Sequence, residues 1–331
     1  KRLMELKCNL IDYERMSDNH NARLITFSLY AGIAGMIETL HAFSQKIKLQ
    51  NYNSPFDTLK QAYQYNSEAQ AKEEIKKMGW EISKNGIPKG LHPLTIGLSG
   101  YGNVSKGAQS ILDLLPIKSI TPAQLREGLN PDEMDNHFLY KTVFKEQDMV
   151  TPIEGVFGLQ DYYDHPEKYK SIFNDYLPEL KILLNCVYWT EQYPRIITRK
   201  NLENLAAKEN NRGLQVIGDI SCDINGSIEI TRESTMPDNA CYTYFAEKDD
   251  FENGIQKSGC TVMAIDNLPC EFPKEASSSF SLELKGFVEN IVSADFKKGF
   301  QDLSLVDEIK KALILQNGSL TPDYRYIADF L

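Results

Sequence analysis

Leu94-Thr95-Ile96-Gly97-Leu98-Ser99-Gly100-Tyr101-Gly102-Asn103-Val104-Ser105-Lys106-Gly107 is the stretch that decides the fold. Leu94–Ser99 reads as a buried strand, and the helical spacing over Ala108–Leu115, stopped by Pro116, reads as a helix. Between them lies Gly100-x-Gly102-x-x-Ser105. Gly100 permits a tight turn. Gly102 has no side chain, so a pyrophosphate can come close to the backbone. Ser105 stands where a third glycine is usual and is small enough for helix–sheet packing. Amides at the helix start, aided by the helix dipole, would hold the phosphates. The pattern points to a dinucleotide site. The alternative is a tight strand–helix turn that binds nothing.

Outward from this turn, strand and helix patterns alternate. Strands are predicted at Cys8–Tyr13, Ile117–Ile120, Lys181–Trp189, Leu214–Ile220 and Cys260–Ile265. Helices are predicted at Ala22–Leu49, Ser67–Met78 (ended by Gly79), Thr198–Ala207, Ala276–Ile291 and Leu303–Leu315, with a helix opened by Thr121-Pro122. Asn130–Val150 is poorly periodic, and Pro166–Leu177 is aromatic-rich and helical in part. The alternation predicts an α/β protein with a Rossmann-like, doubly wound parallel sheet. Ala31-Gly32-Ile33-Ala34-Gly35 sits inside the first long helix. Each helical glycine costs about 1 kcal/mol relative to alanine. The reading is close backbone approach by a neighbouring element.

The chain has 331 residues, a prior of roughly two domains. Its 36 basic and 46 acidic residues give a net charge of −10, against a general nucleic-acid binder or a protein held on anionic lipid by charge. The uncharged run Leu24–Ile37 has the length of a buried core helix rather than of a membrane span. Six scattered cysteines with no CxxC read as reduced thiols of an intracellular protein. The five histidines are dispersed and HExxH is absent, so no metal is expected. There is no GxSxG.

Two further features concern chemistry. A fold of this kind that binds NAD places an acid about 20 residues beyond the glycine turn, to hold the ribose 2′-hydroxyl. Here that region is Lys118-Ser119-Ile120-Thr121-Pro122, without an acid, and Lys118 or Arg126 could pair with a 2′-phosphate. This favours NADP(H) over NAD(H), unless another loop holds the ribose. Acids also stand at the carboxyl ends of predicted strands: Asp12/Glu14, Asp219/Asp223 and Asp266. Ligands of open parallel sheets bind at that edge. Such acids also cap turns and helices.

Longer phrases carry a resemblance. Arg23-x-x-x-Phe27 with Ala31-Gly32-Ile33-Ala34-Gly35, Pro93-Leu94-Thr95, Gly100-Tyr101-Gly102-Asn103-Val104-Ser105-Lys106-Gly107-Ala108-Gln109, Asp219-Ile220-Ser221-Cys222-Asp223 with Gly226-Ser227-Ile228-Glu229, Ile265-Asp266-Asn267-Leu268-Pro269 and Asn317-Gly318-Ser319-Leu320-Thr321-Pro322-Asp323-Tyr324 resemble the lysine–ketoglutarate reductase family. That family is the reductase half of bifunctional aminoadipic semialdehyde synthase and is related to alanine dehydrogenase and to lysine-forming saccharopine dehydrogenase. The resemblance implies NADPH-dependent reductive condensation of L-lysine with 2-oxoglutarate to saccharopine. It implies Arg23 and Glu14 at the substrate cleft and Asp223 beside the nicotinamide and the reacting centre. It implies cofactor binding by Gly100, Gly102, Asn103, Val104, Ser105, Ile265, Asp266 and Asn267.

The family's proton-transferring lysine and histidine lie in a segment ahead of the phrases seen here. The expectation is therefore an N-terminally truncated chain. It would hold a dinucleotide-binding domain over 23–270, with an insertion at about 125–188, and a remnant of a substrate domain in 1–22 and 271–331. The implied partners are the two small substrates, with a homo-oligomer and a C-terminal saccharopine dehydrogenase half left open. The mitochondrial matrix and the cytoplasm fit equally. Two other readings stand beside this one: a non-catalytic NADP(H)-binding module, and an alanine-dehydrogenase-type enzyme. The length of 125–188 favours the reductase over the latter.

Overall fold

The structure is a computed structural model describing residues 1–208 and 213–331. Its elements, in chain order, begin with α1 (Arg2–Glu5), β1 (Leu10–Ile11), α2 (Ser28–Leu49), α3 (Glu68–Asn85), β2 (Thr95–Ser99) and α4 (Asn103–Leu112). Then come β3 (Ile117–Ser119), α5 (Pro122–Glu127), β4 (Leu139–Phe144), α6 (Glu146–Met149), β5 (Val150–Pro152), α7 (Leu159–Asp164), β6 (Tyr169–Ser171) and β7 (Ile182–Asn185). The remainder is α8 (Arg199–Ala206), β8 (Val216–Asp219), β9 (Cys241–Phe245), β10 (Asp250–Asn253), β11 (Cys260–Met263), α9 (Pro273–Ser293), α10 (Asp307–Ala312), β12 (Leu313–Gln316) and β13 (Ser319–Leu320). The chain divides into two compact units, 28–273 and a second made of 1–27 with 274–331.

Unit 28–273 is built on a sheet in the order β10-β9-β11-β8-β7-β2-β4-β3. Strands β3, β4, β2, β7, β8 and β11 are parallel, while β9 and β10 form an antiparallel hairpin at the β11 edge. The sheet is thus mixed rather than wholly parallel. Alternate strand residues serve two cores. Ile182, Leu184, Val216 and Met263 join α2, α3 and α4 on one face, and Leu183, Ile217 and Val262 join Leu202 and Leu205 of α8 on the other. Apolar side chains on both faces are what a doubly wound sheet requires.

Helix α2 does pack with its glycines against neighbours. A Cβ on Gly32 would stand 1.9 Å from the Val104 carbonyl oxygen of α4, and one on Gly35 would stand 2.2 Å from Ile220. Gly107 makes the reciprocal approach, 2.1 Å from the Leu29 carbonyl oxygen. Two buried ionisable features also lie along α2. The Lys46 ammonium, 1% exposed, donates to the Gln256 and Ser258 carbonyls and to Thr261 Oγ1. Burial lowers it to about 8. Glu38 accepts from the Ala62 amide and Gln61 Nε2, and it faces Glu271, neither of whose oxygens has a donor. Burial first, then the Glu38 charge, raises Glu271 to about 10. One proton held between the two carboxyls supplies the missing bond.

Several boundaries differ from the sequence reading. Helix α2 begins at Ser28, because Arg23 makes a β-bridge with Ser17 and the chain turns there. Helix α3 runs through Gly79 to Asn85. That glycine admits the Leu114 carbonyl, 2.7 Å from where its Cβ would be, and the helix ends instead at Gly86 with φ +73°. Helix α4 starts at Asn103, earlier than Ala108, and ends at Leu112. Strand β7 stops at Asn185, and Cys186–Trp189 leaves the sheet. Residues 130–150, without clear period, contain β4, beside the central strand.

The unit of 1–27 and 274–331 has its own core of Met16, Ile25, Leu303, Leu305, Ile309, Ala312 and Leu313. The helix predicted over Leu303–Leu315 is only α10. Leu313–Gln316 is β12, the middle strand of the small sheet β1-β12-β13, with Leu10 opposite Leu315. Among the described residues, no helix is long and apolar enough to cross a membrane.

Candidate active site

From β2 the chain goes to one side, forming β3 and β4, and then crosses to the other, forming β7 and β8. The order reverses between β2 and β7, and at such a point the loops at the carboxyl ends of neighbouring strands part and leave a crevice. A cleft of about 550 Å³ lies there. Its floor is Gly100, Tyr101 and Gly102. One wall comes from Glu146, Tyr162 and Tyr163, and the other from residues 186–190 and 192–196.

The glycine turn has the geometry its residues require. Gly100 has φ +83°, the left-handed region, and its amide donates to the Phe144 carbonyl. Nothing lies within 4 Å of where a Cβ on Gly102 would stand. The first amide bonded back along α4 is that of Lys106, to the Gly102 carbonyl. The amides of Asn103, Val104 and Ser105 therefore occupy the helix mouth, where an anion is favoured. Ser105 is fully buried and accepts from Gln109 Nε2. These residues fit a bound pyrophosphate.

A buried polar chain links the strand ends. Ser99 Oγ donates to Asn185 Oδ1 at 2.8 Å, and Asn185 Nδ2 donates to Asp219 Oδ1 and Ser227 Oγ, each at 2.8 Å. Ser221 and Thr231 also donate to Asp219, whose carboxyl is pushed up by burial. Asp219 is thus fully engaged in holding the loop that follows β8. That loop carries Asp223 at its exposed tip, turned by Cys222 (φ +54°) and Asn225 (φ +51°), and the packing beneath it raises the Asp223 carboxyl. Arg195, from the wall of the cleft, donates to the Asn225 and Gly226 carbonyls and braces the same loop. The Cys222 thiol donates to the Ile265 carbonyl, which joins this loop to Ile265-Asp266-Asn267 beyond β11.

Of the expected residues, Gly100 and Gly102 line the cleft, while Asn103, Val104 and Ser105 open α4. Cys222, beside Asp223 in the chain, bonds the Ile265 carbonyl and feels the charges of both Asp266 and Asp223, which puts the Asp223 loop on the β8 and β11 side. In the other unit, Glu14 and Arg23 form an ion pair at 3.3 Å, both half exposed. Lys118 and Arg126 do not sit at the expected place. Strand β3 is the sheet edge and does not adjoin β2. Lys118 Nζ lies 3.7 Å over the Phe138 ring, and Arg126 bonds Tyr176 Oη and faces Asp175.

No family model matches the chain. Alpha-aminoadipic semialdehyde synthase of Arabidopsis thaliana is 35% identical over 98% of this chain and 31% of its own length. The mitochondrial alpha-aminoadipic semialdehyde synthase of Mus musculus is 32% identical over 98% of the chain and 36% of its length. This chain is a homologue of one segment of alpha-aminoadipic semialdehyde synthase. It spans about a third of the length of these relatives. A saccharopine dehydrogenase [NAD(+), L-lysine-forming] of Neurospora crassa is 25% identical over 83% of the chain and 59% of its length. A solved L-alanine dehydrogenase shares the fold, with TM-score 0.54 and 14% identity over the whole chain and 71% of that structure.

In this synthase homologue, the sequence reading missed the wall residues Glu146, Tyr162, Tyr163 and Arg195. The signal was the aromatic richness of 157–177 beside a strand, visible only once β4 is recognised.

Proposed function

We propose that this chain binds a nicotinamide dinucleotide at the glycine turn and carries out reductive condensation of L-lysine with 2-oxoglutarate to saccharopine. The observation that supports this best is the cleft at the point of strand-order reversal, floored by Gly102 with open space where a side chain would be. The amides of Asn103, Val104 and Ser105 would hold the pyrophosphate. The dinucleotide, when bound, supplies hydride to the carbon of the imine formed from lysine's ε-amine and the ketone. Asp223 contributes a carboxyl to the loop beside Ile265-Asp266-Asn267, where it stabilises the positive charge of the amine or iminium. Arg23 offers a cation to a substrate carboxylate, and Glu14 an anion to an α-ammonium. NADPH was expected because no acid follows 117–120, yet that segment is the far edge of the sheet. The choice of dinucleotide therefore passes to the strand that does adjoin β2.

Gly102→Val tests the reading. Gly102 has φ −72°, which valine can adopt, and nothing within 4 Å obstructs a Cβ. The variant should fold as the parent does, while dinucleotide affinity falls by tenfold or more, about 1.4 kcal/mol. Oxidation of reduced dinucleotide dependent on both lysine and 2-oxoglutarate should fall with it. Undiminished binding in the variant refutes the site. Tight binding by the parent with no turnover favours the non-catalytic module instead.

A further inference from the structure

Beyond the cleft wall, residues 196–199 lie beside residues 227–229. The Ile196 and Ile197 amides donate to the Ser227 carbonyl at 2.9 and 3.1 Å, and the Glu229 amide donates to the Ile197 carbonyl at 2.9 Å. These main-chain bonds stop at Ser227, and the Arg195 side chain continues past them. Its Nε donates to the Gly226 carbonyl at 3.1 Å and its Nη2 to the Asn225 carbonyl at 2.9 Å. The remaining corner, Nη1, faces Glu229 Oε1 at 3.6 Å, and Glu229 Oε2 accepts in turn from the Arg199 amide at 2.7 Å. Arg195 Cζ lies 5.7 Å from the Trp189 ring centre, and Trp189 Nε1 is tied to the Tyr193 and Pro194 carbonyls.

Gly226 passes this hold to Asp223. Its amide donates to the Asp223 carbonyl at 2.8 Å, and a Cβ on Gly226 would stand 2.4 Å from the Asp223 Cβ. Gly226 is buried, whereas Asp223, Ile224 and Asn225 are exposed. The guanidinium thus grips the base of a turn whose tip faces solvent. A planar fork on two successive carbonyls fixes an orientation, which a point charge does not. A guanidinium in a cleft could instead take a substrate carboxylate. Here the donors are engaged by two carbonyls and the charge is countered by Glu229, so the group is placed to orient the loop.

We infer that Arg195 is a positioning residue for the proposed reaction: from the wall of the cleft it sets, through Gly226, where the Asp223 carboxyl stands. The inference rests on the role proposed for Asp223 and adds the group that aims it.

The test is a double-mutant cycle in the full chain, with Arg195→Met, Asp223→Asn and the two combined. It is read as kcat and KM for lysine and 2-oxoglutarate, and as dinucleotide affinity by titration. Arg195→Met keeps an apolar stem beside Trp189 and drops the bonds. It should lower kcat by about tenfold, the effect of losing a charge-assisted hydrogen bond. Both KM values and the dinucleotide affinity should stay within about twofold, since the group touches neither substrate nor cofactor. In the Asp223→Asn background the same change should lower kcat by less than about twofold, because the group it aims is gone. Arg195→Lys, which retains the charge without the fork, repeats the comparison should the methionine variant melt early. Losses that multiply in the double variant, a raised KM for 2-oxoglutarate with kcat kept, or full turnover in Arg195→Met overturn the inference and leave the dinucleotide site standing. A parent that binds dinucleotide without turnover overturns the proposed reaction, and Asp223→Asn with full activity overturns the part given to Asp223; the inference falls with either.

Discussion

Replacing Glu271 by glutamine should make the protein more stable in alkaline solution. The Glu38 and Glu271 carboxyls are 1% and 5% exposed and can coexist only with a proton between them. The folded chain therefore keeps a proton up to about pH 10, whereas the unfolded chain releases it near the ordinary glutamate value of 4.5. Across that window the folded state binds one proton more, so its stability falls as pH rises, by about 1.4 kcal/mol per unit. From pH 6 to pH 8 the loss attributable to this pair is about 2.7 kcal/mol. In Glu271→Gln the amide donates to Glu38 without a proton, and this slope disappears. Urea unfolding followed by tryptophan fluorescence reports it well, since both tryptophans, Trp80 and Trp189, lie in unit 28–273. With a urea slope near 2.5 kcal/mol per molar, the variant's midpoint should gain about 1 M on the parent's between those pH values. The titrating groups outside the Glu38–Glu271 pair are common to the two proteins and cancel in the difference. Parallel curves would refute the shared proton.

Gly32→Ala should destabilise by about 3 kcal/mol and weaken dinucleotide binding together, because its Cβ meets backbone of α4, the helix proposed to hold the phosphates; a thermal melt and a titration measure the two effects. Lys46→Met strips the donor from three buried acceptors and should cost about 2 kcal/mol in a urea titration. Because burial lowers Lys46 to about 8, the folded state holds fewer protons than the unfolded one above that pH, and the parent's lead over the variant should widen as pH rises further. Arg23→Ala breaks a half-exposed ion pair worth about 1 kcal/mol at most, so a large loss of lysine- and 2-oxoglutarate-dependent turnover with an unchanged melt would mark it as a substrate residue. Asp223→Asn should lower the same turnover while leaving dinucleotide affinity alone; full activity in that variant removes Asp223 from the site.

What could be read ahead of the structure was local. Leu94–Ser99, the glycine turn and the helix after it follow from near-neighbour chemistry, as does the Thr198 cap, whose side chain accepts from the Asn201 amide. The close approach at Gly32 was readable because a glycine pair inside a helix has few other uses. Strand β4 was hidden by Lys141. A lysine in the middle of a strand reads as exposed, but its ammonium is paired with Asp113 at 2.7 Å and with Gln109, leaving the side chain 10% exposed. Losing β4 also lost the sheet order, and with it Glu146. Strand β12 was hidden for another reason: Leu313-Ile314-Leu315 continues a helical apolar spacing, and only pairing with Leu10 and Ile11, some three hundred residues away, makes it a strand. The carboxylates were found as residue types at strand ends, yet their roles diverge. Asp219 is buried and bonded by three side chains, those of Asn185, Ser221 and Thr231, while Asp223, four residues on, is exposed.

Helix α2 sets a timetable for the ribosome. It emerges ahead of its partners, carrying a lysine and a glutamate meant for burial, but the acceptors of Lys46 lie 210 to 215 residues downstream, and Glu271 is later still. At 5–20 residues per second, that is a wait on the order of ten to forty seconds. Through that interval the helix has a charged side and no place to lodge it. Nascent chains that end before about residue 260 should accordingly be captured by chaperones or digested, and resistance to protease should arrive abruptly with the last strand of the large sheet.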